Sequence, residues 1–364
     1  MEDGNGMNSK YKYPQIVSTA KVNGDIYFKA YSTPGTFVLK KDTGTIRLIP
    51  EWNNKEKWHG YMYSDCSVCG SKIIYSPYME TRYFSILNTE DETFTYIENT
   101  KGYTVGKSVV FGDDIYFFEK HPEGGRTAKI NINDLKLEEV SWEGDAVENL
   151  LLFNDCCQVG GCLYGPNCNS AQICSFDIRD GRAKKYSLEK NMNSTTTVAY
   201  DGEYYWISGC CDEIVVWDKD RNVIENVIEI EHHETKLEWN MRFSSSIYRD
   251  GYIYFSPICY NKIIRIDTKT AQIEELFNID DDEVCWNICD IADDRLLFSI
   301  THPYTGATRN IVINSFGDID ENNEFMLSTL DFPDFYTTIL PESKESPLEM
   351  FLNDITDGKC GGVF

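Results

Sequence analysis

Two carboxylates in matching contexts are the first residues of this sequence that could do chemistry. Asp65 and Asp155 lie 90 positions apart, and a cysteine follows each directly, Cys66 and Cys156. A pair of carboxylates can act as general acid and general base if burial raises the pKa of one, or can coordinate a hard cation. Such side chains more often accept backbone hydrogen bonds and hold strands together, and we favour this structural role.

Histidine is the other residue type that could transfer protons near neutral pH. The sequence has five histidines, of which His59, His121 and His302 are the candidates for a general base beside the two carboxylates. His121 and His302 each precede a proline in corresponding parts of a sequence repeat, which favours a role in a turn. No Gly-x-Ser-x-Gly, His-Glu-x-x-His or glycine-rich phosphate motif occurs. Whether the protein is an enzyme stays open here, and we favour a non-catalytic protein.

The sequence gives weaker support for a metal site than for these candidate catalytic residues. Cys66 and Cys69 have the spacing of a thiolate pair, but no second Cys-x-x-Cys accompanies them, and residues three apart on a strand point to opposite faces. The acidic stretch 318–324 lacks the glycine and the final glutamate of a calcium-binding loop. We therefore predict no metal and no cofactor. The 13 cysteines are an odd number in a long chain, which favours reduced thiols.

Composition limits the class of partner. The chain of 364 residues is 41% hydrophobic, enough for a large core, and carries a net charge of −25. So acidic a chain lacks the basic surface that neutralises phosphates, and we predict no binding to nucleic acid or to an anionic membrane. The N-terminus contains no apolar signal-peptide core, and no run of about 18 apolar residues occurs. We therefore expect a soluble cytoplasmic protein.

A strand-turn-strand unit recurs seven times and organises the chain. One position in the second strand of each unit is a large apolar or aromatic residue: Tyr27, Ile74, Tyr116, Tyr164, Tyr205, Tyr254 and Leu297. The spacings alternate between 47–49 and 41–43 residues, close to the roughly 45 residues of a four-stranded propeller blade. The sequence therefore predicts an all-β protein, a seven-bladed β-propeller of four-stranded antiparallel blades, with six or eight blades as alternatives.

The predicted propeller spans residues 15–330. A polar N-terminal segment, 1–14, precedes it, and a tail, 331–364, follows it, in which 348–355 has the apolar spacing of a short helix. The sequence leaves the closure of the ring open. Either each blade is contiguous in sequence, or segment 11–17 completes the last blade.

The turn Lys41-Asp42-Thr43-Gly44-Thr45-Ile46 resembles the turns of quinoprotein-type bacterial members of the β-propeller superfamily. The resemblance covers roughly residues 15–330, and its motifs specify strand turns and not chemistry. The chain differs from WD40 proteins in that the Trp-Asp signature occurs once, at Trp217-Asp218. The resemblance implies that ligands bind on the face shared by the connections between blades and the loops between second and third strands.

Three long connections on that face carry most of the candidate binding residues. They are 51–62, 141–152 and 229–242, one for every second blade, and they supply Trp58, Tyr61, Trp142 and Trp239. Rigid aromatic side chains anchor peptides, glycans and proteins at low entropic cost, although the same residues can pack the loops onto the blades. The opposite face, built from short glycine turns, is expected to leave little room for a pocket.

These observations predict a non-catalytic recognition scaffold that binds a protein, peptide or glycan on the loop-rich side of the propeller. The alternative is a lyase or hydrolase that uses Asp65, Asp155 and a histidine of the rim. That alternative requires the three side chains to lie within about 6 Å of one another and one carboxylate to have a perturbed pKa.

Overall fold

Tight hairpin turns set the local structure of the chain. Asn23-Gly24 and Asp250-Gly251 each place two successive residues at positive φ, 53° and 88° in the first and 53° and 86° in the second. This is the geometry of a two-residue turn whose twist matches that of the flanking strands, and glycine adopts it without a steric penalty. The β-branched and aromatic residues on either side then continue as paired strands. The predicted hairpins form at these turns.

The computed structural model describes residues 15–30, 35–51, 63–78, 81–119, 125–145, 155–167, 170–188, 192, 194–237, 241–292, 294–304, 307–323 and 325. The regular structure of these residues is entirely β-strand. They therefore contain no helix long and apolar enough to cross a membrane. The predicted N-terminal segment, 1–14, and the tail, 331–364, lie outside the described residues.

The strands form seven sheets, here called blades 1 to 7. Blade 1 contains β1 Ile16–Val22, β2 Asp25–Ala30, β3 Gly35–Leu39 and β4 Ile46–Pro50. Blade 2 contains β5 Tyr63–Cys69, β6 Lys72–Pro77, β7 Tyr83–Asn88 and β8 Thr93–Glu98. Blade 3 contains β9 Val105–Phe111, β10 Asp114–Glu119, β11 Thr127–Asn131 and β12 Leu137–Val140.

Blade 4 has a fifth strand, and contains β13 Glu143–Gly144, β14 Cys157–Val159, β15 Cys162–Asn167, β16 Gln172–Asp177 and β17 Arg182–Ser187. Blade 5 contains β18 Thr195–Tyr200, β19 Tyr205–Gly209, β20 Glu213–Asp218 and β21 Val223–Glu229. Blade 6 contains β22 Phe243–Arg249, β23 Tyr252–Pro257, β24 Lys262–Asp267 and β25 Ile273–Asn278. Blade 7 contains β26 Val284–Ala292, β27 Arg295–Thr301, β28 Thr308–Asn314 and β29 Ile319–Asp320.

The blades form a ring, so the predicted seven-bladed β-propeller is confirmed. The ring closes between β26 of blade 7 and β1 of blade 1, where the Asn287 side-chain amide donates to the Val17 carbonyl oxygen at 2.9 Å. The Thr19 hydroxyl donates to the Asp290 carbonyl oxygen at 3.2 Å in the same seam. Each described blade is contiguous in sequence, which answers the question of closure that the sequence left open.

The core consists of apolar clusters between neighbouring blades. Phe84 of blade 2 packs against Phe117 of blade 3 with ring centroids 4.7 Å apart, and both side chains are fully buried. Trp206 of blade 5 lies in one cluster with Ile253 and Phe255 of blade 6. Because each blade buries both faces against its neighbours, the central strands are apolar on both sides, as in any doubly covered sheet.

The inner strand of most blades bulges near its first residues. Register shifts that leave residues unpaired fall at 16–18, 63–65, 105–107, 195–197, 243–245 and 285–288. A bulge bends a strand and turns its side chains in a new direction. These bulges lie at the end of the ring where the chain enters each blade. We call this end the loop-rich face, and the opposite end the turn-rich face.

Phe325 provides a test of ring closure. Its fully buried ring packs against Phe28 of blade 1 at 5.3 Å, and its carbonyl oxygen accepts a hydrogen bond from Asn310 of blade 7. Truncating a buried phenylalanine removes its packing and leaves a cavity, so Phe325→Ala should lower the free energy of unfolding by about 3–5 kcal/mol in urea titrations. Phe316→Ala is the matched control, because Phe316 is 81% exposed. Equal stability of the two variants would contradict this closure.

Candidate functional site

The carboxylate of Asp155 connects three blades at the axis of the ring. One oxygen, Oδ2, accepts hydrogen bonds from the Val198 amide of blade 5 at 2.7 Å and from the Ser246 hydroxyl of blade 6 at 3.0 Å. The other oxygen, Oδ1, accepts from the Ser246 amide at 3.2 Å and from the Ser245 hydroxyl at 3.4 Å. Asp155 is 4% exposed. Its carboxylate therefore holds inner strands together and is sealed from solvent.

Burial also perturbs the protonation of this carboxylate. Loss of solvent raises the pKa of Asp155 to about 7, and the hydrogen bonds from Val198 and Ser246 oppose that rise. A carboxylic acid with such a pKa is suited to general acid-base chemistry. A catalytic group must also reach its substrate within hydrogen-bond distance, and the partners of Asp155 among the described residues are strand amides and serine hydroxyls. The perturbed pKa is therefore explained by a structural role.

Asp65 makes the equivalent connection between blades 2 and 3. Its Oδ2 accepts hydrogen bonds from the Ser108 amide at 2.8 Å and the Ser108 hydroxyl at 2.9 Å. Lys107 donates to Oδ1 of Asp65 at 3.4 Å, and the attraction of Asp65 raises the pKa of this lysine. Lys107 also interacts electrostatically with Asp155. The two predicted carboxylates thus belong to one polar network around the channel, with a lysine that the sequence analysis missed.

Side chains at the bulges extend the same network. The Ser64 hydroxyl donates to the Val105 carbonyl oxygen of the next blade, and the Ser244 hydroxyl donates to the Cys285 carbonyl oxygen at 2.6 Å. The Asn287 amide repeats the arrangement at the closing seam. Polar side chains therefore connect neighbouring inner strands at several points of the ring.

The cysteines beside the carboxylates, Cys66 and Cys156, are partly buried thiols, and Cys289 of blade 7 is buried. Burial raises the pKa of Cys66, Cys156 and Cys289 to about 12 each. Cys66 packs between blades 1 and 2, whereas Cys69 packs between blades 2 and 3, so the two point to opposite faces of their sheet. The described residues contain no group of three or more metal-ligating side chains, and every described cysteine is a free thiol.

Several predicted site residues cannot be placed. Trp58, His59, Tyr61, His121 and Trp239 lie outside the described residues. Their assignment to the rim stays a prediction. The described candidates on the connections between strands are Trp142 and His302.

Trp142 occupies a different environment from the exposed rim that the sequence suggested. It is 8% exposed, its indole N–H donates to the Thr127 hydroxyl at 2.9 Å, and its ring packs against Phe118 of blade 3 and Phe176 of blade 4. The reason is the fifth strand of blade 4. β13 pairs in parallel with β17, which draws the connection against the blades and turns the indole inward. In this position Trp142 packs the fold together.

His302 lies on the loop-rich face, as the sequence predicted for a residue between second and third strands. Its Nε2 is 3.9 Å from a carboxylate oxygen of Asp282, and its ring meets Tyr304 edge-on at 5.9 Å. Among the described residues, the hydrogen-bond partners of Asp155 and Asp65 do not include this histidine. The structure does not join the carboxylates and His302 into one catalytic cluster.

An arginine fixes the described part of the third long connection, residues 229–237 and 241–242, over the loop-rich face. The Arg242 guanidinium pairs with the Asp212 carboxylate at 2.6 Å and donates to the carbonyl oxygens of His233 at 3.0 Å and Cys259 at 2.8 Å. His232 approaches Asp212 from the same connection at 2.6 Å. These contacts tie the connection to blades 5 and 6, so its described part is held in one position.

An apolar cluster lies beneath this connection. Leu237 of the connection packs with Ile258 and Val284, and the partly buried side chains of Met241 and Trp286 lie against them. Trp286 sits in the bulge of β26, at the end of this strand that lies towards the loop-rich face. Its side chain is only partly buried, beside residues of a long connection. The sequence analysis did not select Trp286, because it lies in a strand and not in a long loop.

The turn-rich face differs from expectation. The sequence analysis expected its short turns to leave little room, and this expectation is wrong. A cavity of about 400 Å³ lies there between blades 4 and 5, with Gly160, Asp180, Glu203 and Asp220 among its lining residues. The turns themselves are short, but neighbouring blades separate as they extend outward, so the charged side chains of the turns enclose space between them.

A signal for Lys107 was present in the repeat. It lies nine residues before Tyr116, the same offset that separates Asp65 from Ile74 and Asp155 from Tyr164. Comparing that offset in every unit, and not only in alternate ones, would have found the lysine. No comparable signal marks the cavity, because it depends on the gap between two blades.

Comparisons with known proteins establish similarity of fold only. No protein-family model matches the chain, and no curated protein matches its sequence. The crystal structure of Sqt1 from Saccharomyces cerevisiae aligns with a TM-score of 0.59 at 10% identity and covers 85% of this chain and 85% of that chain. The WD40 repeats of RRP9 align with a TM-score of 0.57 at 10% identity, covering 78% of this chain and 87% of that chain.

A computationally designed protein, Ika8, aligns with a TM-score of 0.56 at 10% identity, covering 86% of this chain and 88% of that chain. At such low identity these likenesses establish a shared fold and leave the function to be argued from the sites.

The pKa of Asp155 gives a test of the axial network. A folded-state pKa of about 7, above the ordinary 3.8, means that the folded protein binds the proton more tightly. The resulting stability is fully present below about pH 4 and is lost as the pH rises through 7. As the pH rises from 5 to 8, the free energy of unfolding of the wild type should therefore fall by about 2–3 kcal/mol relative to that of Asp155→Asn. Urea denaturation at each pH measures this difference. Asp180→Asn, at an exposed position, should follow the wild type; identical pH profiles for all three proteins would refute the assignment.

Thiol reactivity tests the environment of the cysteines near the axial carboxylates. Because the thiolate is the reactive form, Cys66, Cys156 and Cys289 should be alkylated by iodoacetamide at pH 8 at least ~100-fold more slowly in the native protein than in urea. Peptide mass spectrometry measures each site, and Cys69, which is less deeply buried, serves as the internal comparison. Native rates equal to the unfolded rates at these three cysteines would contradict the raised pKa values of their thiols.

Proposed function

We propose that this protein is a non-catalytic recognition scaffold that binds a protein, peptide or glycan on its loop-rich face. The observation that carries the proposal is the fixed connection 229–242, which lies over blades 5 and 6 beside the partly exposed Trp286. Tryptophan and other large side chains at such positions supply much of the binding energy in protein interfaces.

The ion pairs around Arg242 support this role. A loop that must be ordered on binding costs conformational entropy, and a loop already held in place avoids that cost. Asp212, His232 and Arg242 hold the described part of the connection before any partner arrives. The exposed ring of Tyr304, 59% accessible on the same face, adds a second aromatic contact of the kind interfaces use.

Three further features of the proposal rest on the sequence. Trp58, Tyr61 and Trp239 are proposed as additional contacts of the same face. The net charge of −25 favours a partner other than nucleic acid or an anionic membrane, and a cytoplasmic location fits the sequence. The relation of the Lys41–Ile46 turn to quinoprotein-type propellers stays a prediction.

A lyase or hydrolase that uses Asp65, Asp155 and a rim histidine is the second candidate. The pKa of about 7 for Asp155 is the observation in its favour. Catalysis there would require the inner strands to release the carboxylate, since its oxygens accept hydrogen bonds from Val198 and Ser246. The scaffold requires no such rearrangement and is therefore preferred.

Substitutions on the two faces distinguish the binding surface. Trp286→Ala and Tyr304→Ala, like Trp58→Ala and Trp239→Ala, should each weaken capture of a partner by ~10-fold or more, as removal of an aromatic anchor does. Phe316→Ala removes an exposed aromatic ring from the turn-rich face and should leave capture unchanged. The measurement is quantitative affinity capture with each tagged variant, with melting temperatures recorded in parallel. Loss of binding in the Phe316 variant alone would move the site to the other face.

A further inference from the structure

The cavity between blades 4 and 5 has the size of a small-molecule site. Its volume of about 400 Å³ lies within the range of about 300–1,000 Å³ usual for ligand pockets. Its lining residues come from the turns β14–β15 and β16–β17 of blade 4 and from the turns β18–β19 and β20–β21 of blade 5. The cavity opens on the turn-rich face and is separate from the loop-rich face of the proposed scaffold.

Tyrosines form a rigid aromatic wall of this cavity. Tyr205 packs against Tyr164 and Tyr200 with ring centroids 4.7 Å apart in each pair, and Tyr186 packs against Trp217 at 5.1 Å. Tyr164 and Tyr205 are 4% and 3% exposed and form the base of this wall. The partly buried rings of Tyr186 and Tyr200 present its accessible apolar surface and polar hydroxyls. This combination suits the apolar face of a sugar ring.

Strand β17 of blade 4 turns its basic side into the cavity. Alternate residues of a strand share a face, and Arg182, Lys184 and Tyr186 of β17 all line the cavity. Lys185 lies on the other face of the same strand. Arg179, Arg182 and Lys219 are ion-paired with Asp177, Asp180 and Asp220.

Lys184 is different from these three cations. Among the residues that the structure describes, no carboxylate is paired with it, and its side chain is exposed at the cavity. In a protein with a net charge of −25, a cation left without an acidic partner at a cavity wall favours an anionic ligand. An acidic macromolecule would meet the repulsion of the whole chain, whereas a small anion meets chiefly the local field.

Carboxylates at the rim of the cavity indicate what the uncharged part of the ligand contains. Asp180 and Glu203 place carboxylates at the rim of the cavity, and carboxylates accept hydrogen bonds from hydroxyl groups. We propose that the cavity binds a short saccharide that carries one anionic group, a carboxylate or a phosphate. The anionic group lies against Lys184, the ring lies on the tyrosines, and the rim carboxylates accept hydrogen bonds from the sugar hydroxyls.

Isothermal titration calorimetry on the full chain tests this proposal with four probes: glucuronate, glucose 6-phosphate, glucose and inorganic phosphate. At least one anionic sugar should bind ~10-fold or more tightly than both glucose and phosphate, and the stronger of the two identifies the anionic group. The proposal would be overturned if neither anionic sugar binds at millimolar concentration. It would also be overturned if inorganic phosphate binds as tightly as the anionic sugars.

The two adjacent lysines supply matched variants. Lys184→Ala should weaken binding of the preferred sugar by ~10-fold or more, whereas Lys185→Ala should change it less than twofold, because its side chain lies on the other face of β17. Both substitutions are at the surface and should leave the melting temperature unchanged. An equal effect of the two variants would contradict the assigned geometry. Binding on the loop-rich face is unaffected by either result, so the two proposals succeed or fail separately.

Discussion

The need to satisfy backbone groups around an open axis governs this structure. Inner strands of neighbouring blades diverge around the ring and share no continuous ladder, so the polar groups that face the channel need other partners. Asp155 supplies them for blades 5 and 6, and Asp65 for blade 3, with hydroxyls and an amide at the bulges making further connections. Because an unpaired buried amide or carboxylate is costly, these contacts fix the positions of the blades relative to one another.

This constraint also decides where function can reside. The two carboxylates whose type suggested catalysis hold the inner strands, and burial accounts for the raised pKa of Asp155. The two faces are left free, and they differ in chemistry. The loop-rich face presents an apolar cluster with Trp286 under a connection held by Arg242, whereas the turn-rich face presents charges and tyrosines around a cavity. Binding of ligands on the two faces therefore explains this structure better than catalysis in the channel does.

The repeat predicted the fold because strand pairs and tight turns are local features. Residues such as Asn23-Gly24 specify a hairpin without reference to the rest of the chain, and seven similar spacings specify seven blades. The site was less predictable because it depends on contacts between blades. The inward position of Trp142 follows from the pairing of β13 with β17, and the cavity follows from the gap between two blades. Lys107, in contrast, could have been predicted, because its offset in the repeat is visible in the sequence.

Amide hydrogen exchange at Val198 and Ser246 tests the central claim most directly. If the buried carboxylate of Asp155 accepts hydrogen bonds from both amides, their exchange should be slow and should occur only with global unfolding of the ring. Rapid exchange of these two amides under native conditions, while the central strands of blades 5 and 6 stay protected, would mean that the carboxylate is released into an open channel. The structural role assigned to Asp155, and with it the preference for binding at the two faces, would then be wrong.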